Sequence, residues 1–200
     1  NSKGKILIGW DEILEGGLAP NAIVMSWRGE AGGIEAAKQG HAVIMTPGNP
    51  VYFDHTQALT EDSVTIGGYN PIEKVYAYNP LPAEIPASNA NLVLGAQANV
   101  WTEYMKNEEK IAYMIFPRIA ALSELLWTPL DKKNWTEFEK KISPLLKRYE
   151  QWGIKPSMAY YEMVSKVSPD QNKNGIELAL SSKSSEGKIQ WVSPTKSSYE

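Results

Sequence analysis

Trp10, Trp27, Tyr52, Asp54, Trp101 and Glu103 are the residues of this chain whose types and spacing suit a sugar. They close four short segments: 6–10 (ILIGW), 22–27 (AIVMSW), 43–54 (VIMTPGNPVYFD) and 92–103 (LVLGAQANVWTE). The first, second and fourth run from small and β-branched residues straight into a tryptophan. The third ends in Tyr–x–Asp and the fourth in Trp–x–Glu. The C–H faces of a pyranose stack on indole, and its hydroxyls donate to carboxylate oxygens. Functional side chains just past the C-terminal ends of consecutive parallel strands usually surround one site, as in a (β/α)8 barrel. The pattern therefore predicts a single aromatic pocket bearing carboxylates.

Such side chains need a scaffold, and the chain supplies one. Residues 5–9 read as a strand. A turn-rich link with Gly16, Gly17 and Pro20 leads to a second strand at 22–26. Residues 32–39 form a short helix pattern closed by Gly40, a good residue just past a helix end, and feed a third strand at 41–46. Strand–helix–strand favours parallel pairing. Residues 47–91 show little periodicity and several prolines, and a loop of that length inside a compact domain is usually functional. A fourth strand follows at 92–98. The expectation is that 5–10, 22–27, 42–46 and 92–98 pair in parallel, in chain order, with helices on one outer face.

Helices dominate next. Residues 117–127 (PRIAALSELLW) open with proline and place Ile119, Leu122 and Leu126 at helical spacing. Residues 134–152 open with Asn134 and Glu137, a capping-box-like pair, and Phe138, Ile142, Leu145, Tyr149 and Trp152 mark one face. Pro144 should kink or split that helix, and Gly153 should stop it. After about residue 165 the composition turns to Ser, Lys and Asn, and 176–180 and 188–192 read as strands of a separate, mostly β module. The division expected is 1–160, an α/β half-barrel, and 161–200, a linker and the beginning of a β domain. A strand beginning at residue 5 with no element before it suggests a piece of something longer.

Composition excludes several classes. Two hundred residues, 42% apolar and 22% charged, are ordinary for a globular domain with a sizeable core. A formal charge of −3 argues against nucleic acid or an anionic membrane as partner. No apolar run is long enough to span a bilayer, and the polar residues 1–5 do not read as a signal peptide. With no cysteine there is no disulfide or thiolate chemistry. His41 and His55 have no partner at metal-ligand spacing, so neither zinc nor any cofactor is expected.

The motifs GWDE (9–12), SWRG (26–29), Tyr52–x–Asp54, GGYNPIEKVY (67–76), GAQANVWTE (95–103) and FPRIAALSELLW (116–127) occur in this order. Together they resemble the C-terminal half of the catalytic barrel of family 20 glycoside hydrolases, the β-N-acetylhexosaminidases, over roughly residues 5–155. Residues 175–200 are similar to the start of a small β domain that follows the barrel in some bacterial members. The resemblance implies that the four strands are barrel strands five to eight. It also implies substrate-assisted, retaining chemistry. The sugar's own 2-acetamido oxygen, rather than an enzyme carboxylate, attacks the anomeric carbon. In the family an Asp orients the acetamido group and the adjacent Glu is the general acid, in a Gly-Gly-Asp-Glu-type motif ending the fourth strand. This sequence has no such motif. Asp11–Glu12 follow Trp10 and match the fifth-strand motif, so the general acid is expected upstream of Asn1.

In that light Trp10, Trp27 and Trp101 would box a terminal N-acetyl sugar, the alternative being barrel packing. Tyr52 would donate to the acetamido oxygen as charge develops, the alternative being an ordinary loop tyrosine. Asp54 and Glu103 would accept from ring hydroxyls O4 and O6, the alternative being solvated carboxylates or caps. Arg28 reads as a structural partner of a carboxylate such as Glu12, and His55 as a polar loop residue. Trp127, Trp135 and Trp152 read as core or helix–helix contacts. Asn134-Trp135-Thr136 is formally a glycosylation sequon at a helix start. Some family members carry a further tryptophan in the long loop, lining the leaving-group side, and none occurs between residues 28 and 100 here.

The resemblance implies an exo-acting parent enzyme acting on N-acetyl-hexosamine-terminated glycans, with a periplasmic or secreted bacterial location. For the chain alone it implies no catalysis, because the Asp–Glu pair lies elsewhere. The competing reading is a non-catalytic carbohydrate-binding or structural fragment. A half barrel leaves sheet edges open, so self-association or pairing with the missing N-terminal half is expected.

Overall fold

The structure is a computed structural model, and it describes residues 3–61, 64–170 and 175–184. The chain divides into one unit at 1–157 and another at 158–200. The first is built on four parallel strands. In chain order its strands are β1 (Ile8–Trp10), β2 (Ile23–Ser26), β3 (Val43–Met45), β4 (His55–Thr56), β5 (Ile66–Tyr69) and β6 (Val93–Ala96). The main sheet runs β1-β2-β3-β6, and β4 pairs with β5 in a separate two-stranded sheet. Gly9 lies opposite Val24, Val24 opposite Val43, and Val43 opposite Val93, every pair parallel. The four segments expected to be parallel neighbours in chain order are so. The strands themselves are shorter than the apolar runs that announce them.

Helix α1 (Ala31–Lys38) carries the chain from β2 to β3 and packs on both. Its buried face is Gly33, Ala36 and Ala37, small enough to let the backbone approach the sheet. A Cβ at Gly33 would stand 2.7 Å from Met45 Sδ. Gly40, at φ +87°, ends the helix in the left-handed conformation expected of it.

The segment 47–91 is less irregular than its sequence suggests. It holds α2 (Gly48–Val51), β4, β5, α3 (Ile72–Ala77) and a 3-10 turn at Ala87–Leu92. In α3, Ile72, Val75 and Tyr76 are buried, a helical stripe too short to register as periodicity.

Helix α4 (Glu108–Ile115) has no counterpart among the elements expected from the sequence. It is capped by Asn107, whose side chain accepts from the Lys110 N–H at 2.8 Å. Helix α5 (Arg118–Trp127) buries Arg118, Ala121, Leu122 and Leu125, so of the expected stripe 119, 122, 126 only Leu122 is on the buried face. Helix α6 (Trp135–Gln151) buries Phe138, Ile142, Leu146 and Tyr149, with the Asn134 side chain accepting from the Glu137 N–H at 3.2 Å. Pro144 does not split α6; it lies on the exposed side of the helix. Trp127 and Trp152 are not core residues: they are 89% and 64% exposed. Trp135 does pack, against Tyr76 and Phe138 at centroid distances of 5.3 and 5.7 Å.

The second unit contains the antiparallel pair β7 (Val164–Asp170) and β8 (Gly175–Ser181). The strand expected at 176–180 falls within β8, and the one expected at 188–192 lies outside the described residues. No helix among the described residues is long and apolar enough to cross a membrane.

Candidate functional site

The strands of the main sheet end side by side, and the residues past their C-terminal ends meet. Trp10 ends β1, and Trp27 follows β2 directly. Tyr52 follows β3 through α2, and Trp101 and Glu103 follow β6. These five line one pocket of ≈ 350 Å³, together with Glu12. Trp10 and Trp101 stand 6.0 Å apart with their planes tilted by 41°. Trp27 and Tyr52 stack at 6.4 Å and 20°. The result is a concave site with aromatic walls and carboxylates among its lining groups. That combination takes a ligand with apolar faces and outward hydroxyls.

The turn after β1 explains how Trp27 is held. Asp11 and Glu12 open a 3-10 turn (Asp11–Leu14), which sends the two carboxylates different ways. Asp11 is buried; its Oδ2 accepts from the backbone N–H groups of Trp27 and Arg28 at 3.0 and 3.2 Å, and its Oδ1 from Arg28 Nε at 2.6 Å. Arg28 also reaches Glu15 at 3.1 Å. The partners of Arg28 are thus Asp11 and Glu15, not Glu12. Glu12 instead takes the Trp27 indole N–H, with both carboxylate oxygens within 3.1 Å. A backbone hydrogen bond and this indole bond hold its pKa below the usual carboxylate value.

Tyr52 and Asp54 lie on a segment that extends the sheet beyond its regular strands. Phe53 N–H donates to Asn99 O at 2.8 Å, and Asn99 N–H to Val51 O at 3.0 Å. Asp54 does not line the pocket. It is buried two residues after Tyr52, and its Oδ1 has no hydrogen-bond partner among the described residues. Burial pushes its pKa up, and the charge of Glu103 adds to that shift. Burial likewise raises the Tyr52 phenol. His55 is half-buried against the Tyr52 ring at 5.9 Å, and burial lowers its pKa.

Three residues at or near the site are given no site role by the sequence. Glu12 lines the pocket. Asn70 and Arg118 lie behind it, both fully buried. The one signal for Arg118 is an arginine placed on the apolar stripe of α5. Among the described residues no group of three His, Asp or Glu side chains could hold a metal ion. A larger groove of ≈ 750 Å³ lies between α5 and α6. Its carboxylates are already paired, Glu124 with Lys141 at 2.6 Å and Glu137 with Lys140 at 2.7 Å, and it is not at the strand ends.

A parallel α/β sheet with an aromatic, carboxylate-bearing pocket at the C-terminal ends of its strands carries its site where (β/α)-barrel enzymes carry theirs. The model of the glycosyl hydrolase family 20 catalytic domain matches residues 1–130, and the chain belongs to that family. A beta-hexosaminidase of Porphyromonas gingivalis is 56% identical over 153 residues, 76% of this chain and 20% of the relative. A beta-hexosaminidase of Vibrio furnissii is 35% identical over 127 residues, 61% of this chain and 21% of the relative. Among solved structures, the family 20 exo beta-N-acetylglucosaminidase of Vibrio harveyi in complex with N-acetylglucosamine superposes with a TM-score of 0.72. It is 31% identical and covers 80% of this chain and 26% of that one. The chain therefore spans about a fifth of the length of these curated relatives.

Proposed function

We propose that this chain is the sugar-binding part of an exo-acting β-N-acetylhexosaminidase, which removes terminal N-acetyl-hexosamine residues from glycans by substrate-assisted retaining catalysis. In this reading residues 1–160 are the C-terminal half of a (β/α)8 barrel and 161–200 begin a small β domain. The observation that carries it is the pocket shared by Trp10, Trp27, Tyr52, Trp101 and Glu103 at the ends of four parallel strands. The tryptophans enclose the sugar ring and its acetamido methyl. Tyr52 donates to the acetamido oxygen as that oxygen attacks the anomeric carbon. Glu103 accepts from a ring hydroxyl at the pocket wall, and Asp54, outside that lining but with an unpartnered Oδ1, accepts from another, the two hydroxyls being O4 and O6. On the family resemblance, the intact enzyme works outside the cytoplasm, periplasmic or secreted.

The Asp–Glu pair that orients the acetamido group and protonates the leaving group comes from the N-terminal half of the barrel. Asp11 and Glu12 do not replace it. Asp11 is committed to Trp27 and Arg28, and Glu12 to the Trp27 indole. That commitment favours, for the chain by itself, the second reading: sugar binding without turnover.

The test is Tyr52→Phe in the intact enzyme. A hydrogen bond that strengthens as charge develops belongs to the transition state, so kcat should fall by roughly 10²–10³ while KM moves little. Equal losses in binding and turnover would remove Tyr52 from this role.

A further inference from the structure

The segment that carries Tyr52 and Asp54 gives four of its carbonyl groups to only two side chains. Asn70 Nδ2 donates to Gly48 O at 2.9 Å and to Tyr52 O at 3.0 Å. Arg118 takes the carbonyls on either side of Asp54: Nη2 donates to Phe53 O at 2.5 Å and Nη1 to His55 O at 3.0 Å. The two side chains are also joined, because Arg118 Nη1 donates to the backbone carbonyl of Asn70 at 3.0 Å. Met114 O anchors the guanidinium to α4 through Nε and Nη2, and the Phe53 ring lies 4.7 Å from it. Asn70 and Arg118 are both 0% exposed.

A fully buried guanidinium is costly to desolvate, and its usual compensation is a contacting carboxylate. Arg118 has none among the described residues. It spends its donors on backbone oxygens, and Asp54, which lies in sequence between two of them, has an Oδ1 without a hydrogen-bond partner there. An apolar residue in this place would avoid the desolvation cost but would leave the carbonyls of Phe53, His55, Asn70 and Met114 without this donor. The rigid fork of an arginine fixes the positions of several acceptors at once, which a flexible lysine cannot do. Two of the acceptors it fixes flank Asp54, and Asn70 fixes the carbonyl of Tyr52.

We infer that Asn70 and Arg118 form a positioning clamp that holds Tyr52 and Asp54 at the distance and angle at which they act on the sugar. This rests on the roles given to Tyr52 and Asp54 above. Neither clamp residue touches the sugar. Their substitution shifts the segment that carries Asp54, and so should alter the recognition of one hydroxyl more than the stability of the whole.

The experiment compares an aryl N-acetyl-β-glucosaminide with its 4-deoxy and 6-deoxy analogues, in the intact enzyme. Asp54→Asn comes first. If it leaves the kcat/KM ratio of parent to deoxy substrates unchanged, the role of Asp54 fails, independently of the clamp. If it collapses the ratio for one hydroxyl, the clamp is tested on that ratio. Arg118→Lys and Asn70→Ser should each lower it by about tenfold, the worth of one well-placed hydrogen bond to a charged group. Both should keep a cooperative unfolding transition. A uniform loss on all substrates, with the ratio unchanged, overturns the clamp and leaves the pair structural. So does failure of both variants to fold. Arg118→Lys and Asn70→Ser reach the segment through different carbonyls, so a lowered ratio in either folded variant supports it.

Discussion

Asp11 and Glu12 are neighbours of nearly the same chemistry, and the turn after β1 gives them opposite tasks. Asp11 bonds two backbone N–H groups and a guanidinium from the end of β2, so it welds two strand ends together. Asp11→Asn leaves Arg28 without its main carboxylate and turns one acceptor into a donor. It should destabilise the intact enzyme by about 1–3 kcal/mol, measured by urea unfolding. Glu12→Gln keeps an acceptor for the Trp27 indole, and the unfolding curve should not move. Asp54 supports a pH prediction. Burial raises its pKa in the folded state above the unfolded value. The native state therefore takes up this proton more readily than the unfolded chain, so Asp54 opposes folding above its folded pKa and stops doing so as pH falls through it. In the proposed role the ionised form accepts sugar hydroxyls, and that form is lost over the same fall. KM should thus begin to rise at a pH above the ordinary carboxylate range, and Asp54→Asn should abolish that limb. Persistence of the limb in the variant would assign it to another group. At this scale the tryptophans are legible in the sequence, because an apolar run ending in Trp says where the side chain stands. The burial of Asp54 and the turning of Glu12 into the pocket are not. Both depend on backbone direction after a strand ends, which residue types do not encode.

Elements are legible where they are long or strongly patterned. The four strands show as runs of Ile, Val, Leu and Met. Their parallel pairing follows from the helix between β2 and β3. Helices α3 and α4 span about two turns each, and their apolar stripes contain too few residues to separate from chance. The buried face of α5 is rotated from the one its apolar residues suggest, because the stripe begins at an arginine, which reads as solvent-facing. The β4–β5 pair is invisible in the sequence, since its register depends on a contact at Gly68. That glycine sits at φ +123°, and a Cβ there would collide with the His55 ring. Gly68→Ala must therefore strain its own backbone and push His55 against Tyr52. It should cost about 1–3 kcal/mol by thermal unfolding, and kcat/KM should fall with it. An unchanged melting temperature would mean that β5 yields to the methyl group at no cost, and that His55 does not depend on it.

At the scale of the molecule the open question is what meets the edges of the sheet. β1 and β6 are its outer strands, each hydrogen-bonded along one side only within the sheet. Apolar side chains stand exposed on or just before them: Ile6 is 64% exposed, Leu7 56%, Ile8 50% and Leu94 59%. Unpaired edges flanked by apolar surface invite another chain. In the proposed barrel those edges close against four further strands, which also bring the acid and the orienting carboxylate. Two outcomes follow for the isolated 200-residue chain. Its sedimentation should depend on concentration, and it should bind the N-terminal half of the same protein when that is supplied as a second chain. It should also show no appreciable hydrolysis of an aryl N-acetyl-β-glucosaminide. General acid catalysis is worth roughly 10²–10⁴-fold, and water entering an open half-barrel weakens the remaining hydrogen bonds as well. Mixing the halves should restore turnover in proportion to the complex formed. Turnover by this chain alone, abolished by Glu12→Gln, would overturn the division of labour: Glu12 would then be the acid, and the indole bond that now occupies it would be a resting state.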